Sequence, residues 1–261
     1  MSILPTLFLS HGSPMLALQD SPARRFLLEL GKALPRPKAI AVASAHWETH
    51  GGPAVSLAPA PETIHDFGGF PPALSALRYP AHGDPAMAEH VARLLQDAGY
   101  PVRRSPQRGL DHGAWVPLML MYPRADIPVF QLSILRGAAA AEHERLGRAL
   151  AALRAEGVLV VGSGSLTHNL YEFRGQDLEA PVPGWVGEFA AWMKEMLQQG
   201  RHDALRDYRR LAPHAVRNHP TEEHLMPLFV ALGAAGDGAA ARQLHASYEY
   251  GILAMDVYAF S

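Results

Sequence analysis

The sequence predicts an α/β fold: a single domain over residues 1–261, built on a mostly parallel or mixed central sheet with helices on both faces and a site at the carboxyl edge of the strands. Three observations carry this. Short apolar runs alternate with helical patterns along the chain, which is how βαβ units are written. The strand-like runs are apolar at nearly every position, as in Lys38-Ala-Ile-Ala-Val-Ala-Ser-Ala-His46, and continuous runs suit strands covered on both faces. Finally, the runs before His11, His46 and His168 all lead into a histidine. Parallel neighbours would deliver those imidazoles to one crevice, the place where open α/β sheets hold their sites.

Taken in order, an apolar run from residue 4 stops at the turn His11-Gly-Ser-Pro14. Ser21-Pro22 is a helix start, serine as N-cap and proline in the first turn, and Pro35 and Pro37 end that helix near residue 34. The His46 strand follows, then a strand around 54–57. Residues 58–80 are rich in proline and glycine and read as a structured loop over the crevice. Asp84-Pro85 caps a helix to about residue 98, and 100–103 is a short strand. Gly109-Leu-Asp-His112 leads into an apolar helix ending near Tyr122. A strand at 127–134 and an amphipathic helix at 138–155 come next. In the third histidine strand a glycine-serine turn, Gly162-Ser-Gly-Ser, precedes His168. Helices at 185–199 and 202–211 follow. Thr221 then serves as N-cap of a helix to about residue 235, which places Glu222, Glu223 and His224 in its first turn. Residues 247–260 have alternating strand character.

Composition narrows the function. A net charge of −2 and a pI near 6.7 offer no basic field for nucleic acid or an anionic membrane. No apolar run is long enough to span a bilayer and no signal-type segment leads the chain, so a cytoplasmic location is expected. There are no cysteines, which excludes disulfides, iron–sulfur clusters and thiolate zinc. Any metal must therefore be held by nitrogen and oxygen, and 14 histidines are available to hold it.

A divalent metal without sulfur takes imidazoles or carboxylates, usually three with positions left open. His11 and His46 are the first pair. The third ligand is His112, His168, Glu223 or His224. The positive end of a helix dipole disfavours imidazolium in a first turn, which favours His224 over His168. Glu223 would instead complete a two-His, one-carboxylate triad. His168 and His112 then stand beside the metal as proton donors or acceptors. His65, in the glycine-rich loop, either touches substrate or scaffolds the loop. His50, His82, His90, His143, His202 and His245 read as surface or loop residues, and His214 and His219 as structural ones. Gly162-Ser-Gly-Ser is neither a dinucleotide fingerprint nor a nucleophile elbow. His219-Pro-Thr-Glu-Glu-His224 lacks zincin spacing.

Six stretches occur in order across nearly the whole chain: Leu9-Ser-His11-Gly-Ser-Pro14, Ser44-Ala-His46-Trp47, Thr63-Ile-His-Asp-Phe-Gly-Gly-Phe-Pro71, Leu110-Asp-His112-Gly-Ala-Trp115, Gly162-Ser-Gly-Ser-Leu-Thr-His168-Asn169 and Pro220-Thr-Glu-Glu-His224. Together they resemble the class III extradiol ring-cleavage dioxygenases, in their DOPA 4,5-dioxygenase-like branch. The resemblance implies an Fe(II) site, with Zn(II) a plausible occupant, held by His11, His46 and His224. His224 stands where relatives outside this branch use glutamate, which leaves the site one negative charge poorer and suits zinc as well as iron. It further implies His168 as catalytic acid/base and His112 as a partner for substrate or oxygen. The substrate would be a small catechol, opened with O2 beside its hydroxyls after losing protons to His168. Trp47, Phe67, Phe70 and Trp115 are candidates for the pocket walls, with Trp115 the one best read as core; His65, Phe67 and Trp47 are the expected substrate contacts. A substrate carboxylate would pair with Arg78, Arg108 or Arg217. A zinc hydrolase or lyase on the same histidines, or a non-catalytic binding relative, are the competing readings. A homodimer is the default assembly.

Overall fold

The computed structural model describes residues 3–261. The strands are β1 (Thr6–Ser10), β2 (Ala39–Thr49), β3 (Ala54–Ser56), β4 (Arg103–Ser105), β5 (Val129–Leu135), β6 (Val158–Gly164), β7 (Ala241–His245), β8 (Tyr248–Glu249), β9 (Leu253–Ala254) and β10 (Val257–Phe260). Eight form one sheet in the order β4-β3-β5-β2-β6-β1-β10-β7, and β8 pairs with β9. β5, β2, β6 and β1 pair in parallel at its centre, while β10 runs antiparallel to both β1 and β7. The sheet is therefore mixed, as expected, with its parallel part under the histidines.

Alternation along each strand divides the core into two layers. Phe8, Ala41, Ala43, Val158 and Val160 face one layer, with Val91, Phe189, Met193 and Phe229 from covering helices. Leu7, Leu9, Ile40, Val42, Leu159 and Val161 face the other, with Leu27, Leu30, Trp115 and Leu118. Burial of each Val, Leu, Ile, Phe or Met among them stabilises the fold by roughly 1.5–3 kcal/mol, which is why both faces need apolar residues. Helix Met226–Ala234 lies unusually close to β6 because that strand carries glycine. A Cβ on Gly162 would stand 2.0 Å from the Pro227 carbonyl oxygen, and one on Gly164 2.1 Å from that of His224. Among the described residues no helix is long and apolar enough to cross a membrane.

Several local expectations need correction. Ser21 caps Pro22–Ala33 and Asp84 caps Pro85–Asp97, as read from the sequence. The helix after Thr221, however, starts only at Met226, with Pro227 in its first turn. His224 therefore lies in the turn before the helix, and the dipole argument for it does not apply. The 138–155 helix is broken into Ala140–Arg148 and Leu153–Glu156, and the 202–211 helix into His202–Arg206 and Tyr208–Leu211. The strand expected at 100–103 is Arg103–Ser105, and polar β7 went unread. Gly162-Ser163-Gly164 continues β6 rather than turning, so His168 sits four residues beyond the strand end. His46 does not end β2 but lies in an irregularity, where pairing with β5 jumps from Ser44 to Glu48. Such bulges re-aim side chains near sites. His143 is fully buried rather than superficial: its Nε2 accepts the Leu135 N–H at 3.0 Å and its Nδ1 donates to the Ala139 carbonyl at 3.0 Å. His245 stacks on Phe26 in β7, ring centroids 4.7 Å apart.

Candidate metal centre

His11 leaves the end of β1, where its N–H donates to the Gly164 carbonyl at 2.9 Å, the next rung of the parallel ladder. His46 rises from the β2 irregularity. Its N–H is held at 3.2 Å by Ser44 Oγ, which itself donates to the buried Asp111 at 2.7 Å. His224 follows Glu223 in the turn above β6, its carbonyl accepting from Ser165 N–H at 2.8 Å. These three elements bring three ring nitrogens together. His11 Nε2 and His46 Nε2 are 3.0 Å apart, His46 Nε2 and His224 Nε2 3.3 Å.

The opposite side of each ring decides which nitrogen carries the proton. Ser163 Oγ donates to the Gly113 carbonyl and so accepts from His11 Nδ1 at 2.9 Å. Glu223 Oε1 accepts from His224 Nδ1 at 2.9 Å, and Asp66 Oδ2 faces His46 Nδ1 at 3.6 Å. Hydrogen bonds thus place the proton on Nδ1 of His11 and His224, the Asp66 charge favours the same tautomer of His46, and the three Nε2 atoms face one another. Orientation of imidazole by an acceptor behind it is how metal-binding histidines are prepared. The spacing also fits a cation. Nitrogens bonded at about 2.0–2.1 Å in tetrahedral geometry lie roughly 3.3–3.4 Å apart, and right-angled ones roughly 3.0 Å. Glu223, weighed as a ligand from the sequence, has its carboxylate committed to His224 Nδ1 and to Thr221 Oγ1.

Burial sets the charge state. His11 and His224 are held well below the ordinary histidine value, first by desolvation and then by mutual repulsion among the cluster's imidazoles. His46 is lowered to about 4 by burial and by His112, against the pull of Asp111, Asp66 and Glu223. At neutral pH the rings are uncharged and offer lone pairs.

Two more histidines flank this point. His112 opens helix His112–Met121, its ring centroid 4.0 Å from that of His46. His168 stacks on His224, centroids 3.5 Å apart and planes 9° from parallel, and is lowered to about 4 by burial in spite of Glu223. Its loop is fixed by His168 N–H to the Asn218 carbonyl at 3.0 Å and by buried His219, whose Nε2 donates to the Leu166 carbonyl at 2.9 Å. Asp66, unread in the sequence, proves central. Its Oδ1 accepts the His112 N–H at 2.9 Å and lies 3.0 Å from His112 Nδ1. Burial opposes its ionisation, yet hydrogen bonding and charge from His112 and His46 hold it at about 2.

The loop carrying Asp66 also supplies an aromatic wall. Phe67 meets His112, His65 and Phe70 edge-on at centroid distances of 5.7, 5.6 and 5.6 Å. His65 donates through Nε2 to the Leu77 carbonyl at 3.0 Å, which holds the loop closed on itself. Trp115 is buried core, with its indole N–H on the Ile64 carbonyl. Trp47 takes no part in this wall; the Arg108 guanidinium covers its ring at 5.0 Å. Of the arginines weighed for a substrate carboxylate, Arg108 pairs with Asp111, Arg217 with Glu172, and Arg78 with the Ser75 and Leu77 carbonyls.

A family model described as the catalytic LigB subunit of aromatic ring-opening dioxygenase matches residues 5–258. The chain belongs to the LigB family. This LigB-family chain is 43% identical to the 4,5-DOPA dioxygenase extradiol of Beta vulgaris over 264 residues, covering 100% of this chain and 97% of the relative. It is 46% identical over 235 residues to the protein of the same name in Escherichia coli strain K12, covering 88% of this chain and 85% of that one. The crystal structure of an uncharacterized protein from E. coli K12 superposes with a TM-score of 0.83 at 36% identity, covering 99% of this chain and 100% of that one.

Proposed function

We propose that this LigB-family protein is a metal-dependent extradiol dioxygenase that opens a DOPA-like catechol with O2. The observation that carries the reading is the convergence of the Nε2 atoms of His11, His46 and His224, flanked by the rings of His112 and His168, in a chain that matches the family over residues 5–258. His11, His46 and His224 hold the metal. Fe(II) bound there would supply a Lewis acid for the catechol oxygens, as Zn(II) would, and also a path for electrons from ring to O2, which redox-inert Zn(II) would not. Zinc binds the same donors and serves as a structural stand-in.

The chain's own groups do the rest. His168, neutral because it is buried, takes a hydroxyl proton at a ring nitrogen as the catechol binds and returns it as the O–O bond breaks. His112, oriented by Asp66, faces the centre from the other side and donates a hydrogen bond to substrate or oxygen. Phe67 and Phe70 wall the pocket and exclude water. The balance closes without a further reductant. The ring C–C bond beside the hydroxyls breaks, and both O2 atoms enter the product, which carries an aldehyde and a carboxylate.

The test is anaerobic loading with Fe(II), addition of L-DOPA, then O2. One O2 consumed per catechol and a yellow product are expected, with neither in His11→Ala. Absence of uptake with any catechol, in protein whose iron content is verified, overturns the reading.

A further inference from the structure

Beside the metal centre lies a cleft of about 300 Å³ whose polar lining comprises Glu48, Arg136, Arg209, Thr221, Glu222 and Glu223. It adjoins the chemistry through Glu223, whose carboxylate lies within 4.8 Å of ring nitrogens of His168 and His224. Glu48 follows His46 by two residues. Arg136 extends from the end of β5, where its N–H donates to the Thr49 carbonyl at 3.0 Å. The two side chains therefore rise from adjoining strand ends.

Most charges in the cleft are committed. Glu222 accepts from Tyr208 Oη at 2.5 Å and lies 3.7 Å from Arg209 Nε; Arg209 Nη1 donates to the His219 carbonyl at 2.8 Å. Glu223 holds His224. Glu48 and Arg136 remain. Among the described residues neither side chain makes a hydrogen bond or an ion pair within 4.0 Å, although they stand within electrostatic reach of one another. One acid and one base, held apart on the rim of one cleft, fit a ligand that carries both charges.

We propose that this cleft receives the α-amino-acid end of a catechol substrate, with Arg136 taking the carboxylate and Glu48 the ammonium. This rests on the dioxygenase reading and deepens it. The arginines singled out by sequence, Arg78, Arg108 and Arg217, are each engaged elsewhere. Arg136 presents a planar fork suited to a carboxylate.

The experiment compares L-DOPA, dopamine, 3,4-dihydroxyphenylpropionate and catechol as substrates of the Fe(II)-loaded wild type, Arg136→Gln and Glu48→Gln. A lost hydrogen bond to a charged group corresponds to roughly a tenfold effect or more. In Arg136→Gln, kcat/KM relative to catechol should fall by about that factor for the two carboxylate-bearing compounds. In Glu48→Gln it should fall for L-DOPA and dopamine. Equal shifts for all four substrates, or a wild type that favours L-DOPA no more than catechol, overturn the proposal while leaving the dioxygenase standing. If the wild type opens none of the four, the dioxygenase reading falls. Anaerobic calorimetry of the Zn(II)-loaded protein then tests the cleft alone, and L-DOPA binding no tighter than catechol overturns it.

Discussion

Replacing Ser163 by alanine tests how the metal centre is prepared from behind. Ser163 is fully buried, its Oγ lying between His11 Nδ1 at 2.9 Å and the Gly113 carbonyl. Truncation leaves a buried donor and a buried acceptor unpaired, at a cost of about 1–3 kcal/mol. For a chain of this size that lowers the melting temperature by roughly 2–4 °C per kcal/mol. It also frees the His11 ring to turn and to carry its proton on Nε2, the atom proposed to bind the metal. Loss of such an orienting partner typically weakens metal binding about 10–100-fold, equivalent to roughly 1.4–2.7 kcal/mol. The assay is a competition titration of Zn(II) against a chelator, beside thermal melts of the metal-free protein. Thr6→Val is the control: Thr6 Oγ1 donates to the Ala231 carbonyl at 2.6 Å and touches no histidine. It should lower the melting temperature without changing zinc affinity. Zinc affinity in Ser163→Ala equal to that of Thr6→Val would refute the tautomer argument.

Two other outcomes follow from the same geometry. Asp66→Asn keeps an acceptor for the His112 N–H but removes the charge facing His112 and His46; kcat should fall about 10–100-fold with KM and melting temperature little changed. Unaltered kcat would show that the carboxylate only shapes the loop. The metal-free protein should also lose stability as pH falls. His46, His168 and His219 are each lowered to about 4, and His11 and His224 well below their ordinary value. The unfolded chain therefore binds protons first, near pH 6.5. Stability is complete above that value and declines from there toward pH 4, each histidine contributing up to about 1.4 kcal/mol per pH unit. Asp256, raised to about 6 by burial, acts in the opposite sense, as do Glu48 and Glu249, which burial also raises; they stand against seven lowered histidines once His143 and His245 are included. Melting temperatures that stay level from pH 7 to 5 would contradict this.

Much of the architecture was legible because it follows from local chemistry. Ser21-Pro22 and Asp84-Pro85 satisfy helix-end N–H groups within a few residues, so those starts could be read directly. Pro227 marks the start of the last long helix at Met226, while Thr221 offers a competing N-cap signal five residues earlier. β7, Ala-Arg-Gln-Leu-His, has no alternating pattern; it is a strand because β10 offers it an edge. His143 looked superficial on a helix rich in charge and is buried because Leu135 N–H needs an acceptor.

What the sequence determined by itself is the chemistry of the donor set and the surface it stands on. Without cysteine a metal must use nitrogen and oxygen, and apolar runs ending near His11 and His46 require a sheet that delivers those rings to one edge. What only the tertiary structure decided is the aim of each ring. The acceptor behind His11 is 152 residues away in sequence, and the carboxylate at His112 is 46 residues away. Glycines at 162 and 164 matter because a carbonyl from the next segment occupies the place of their missing side chains. A proton's position on an imidazole is set by whichever acceptor lies within about 3 Å of it, and that distance exists only once the chain is folded.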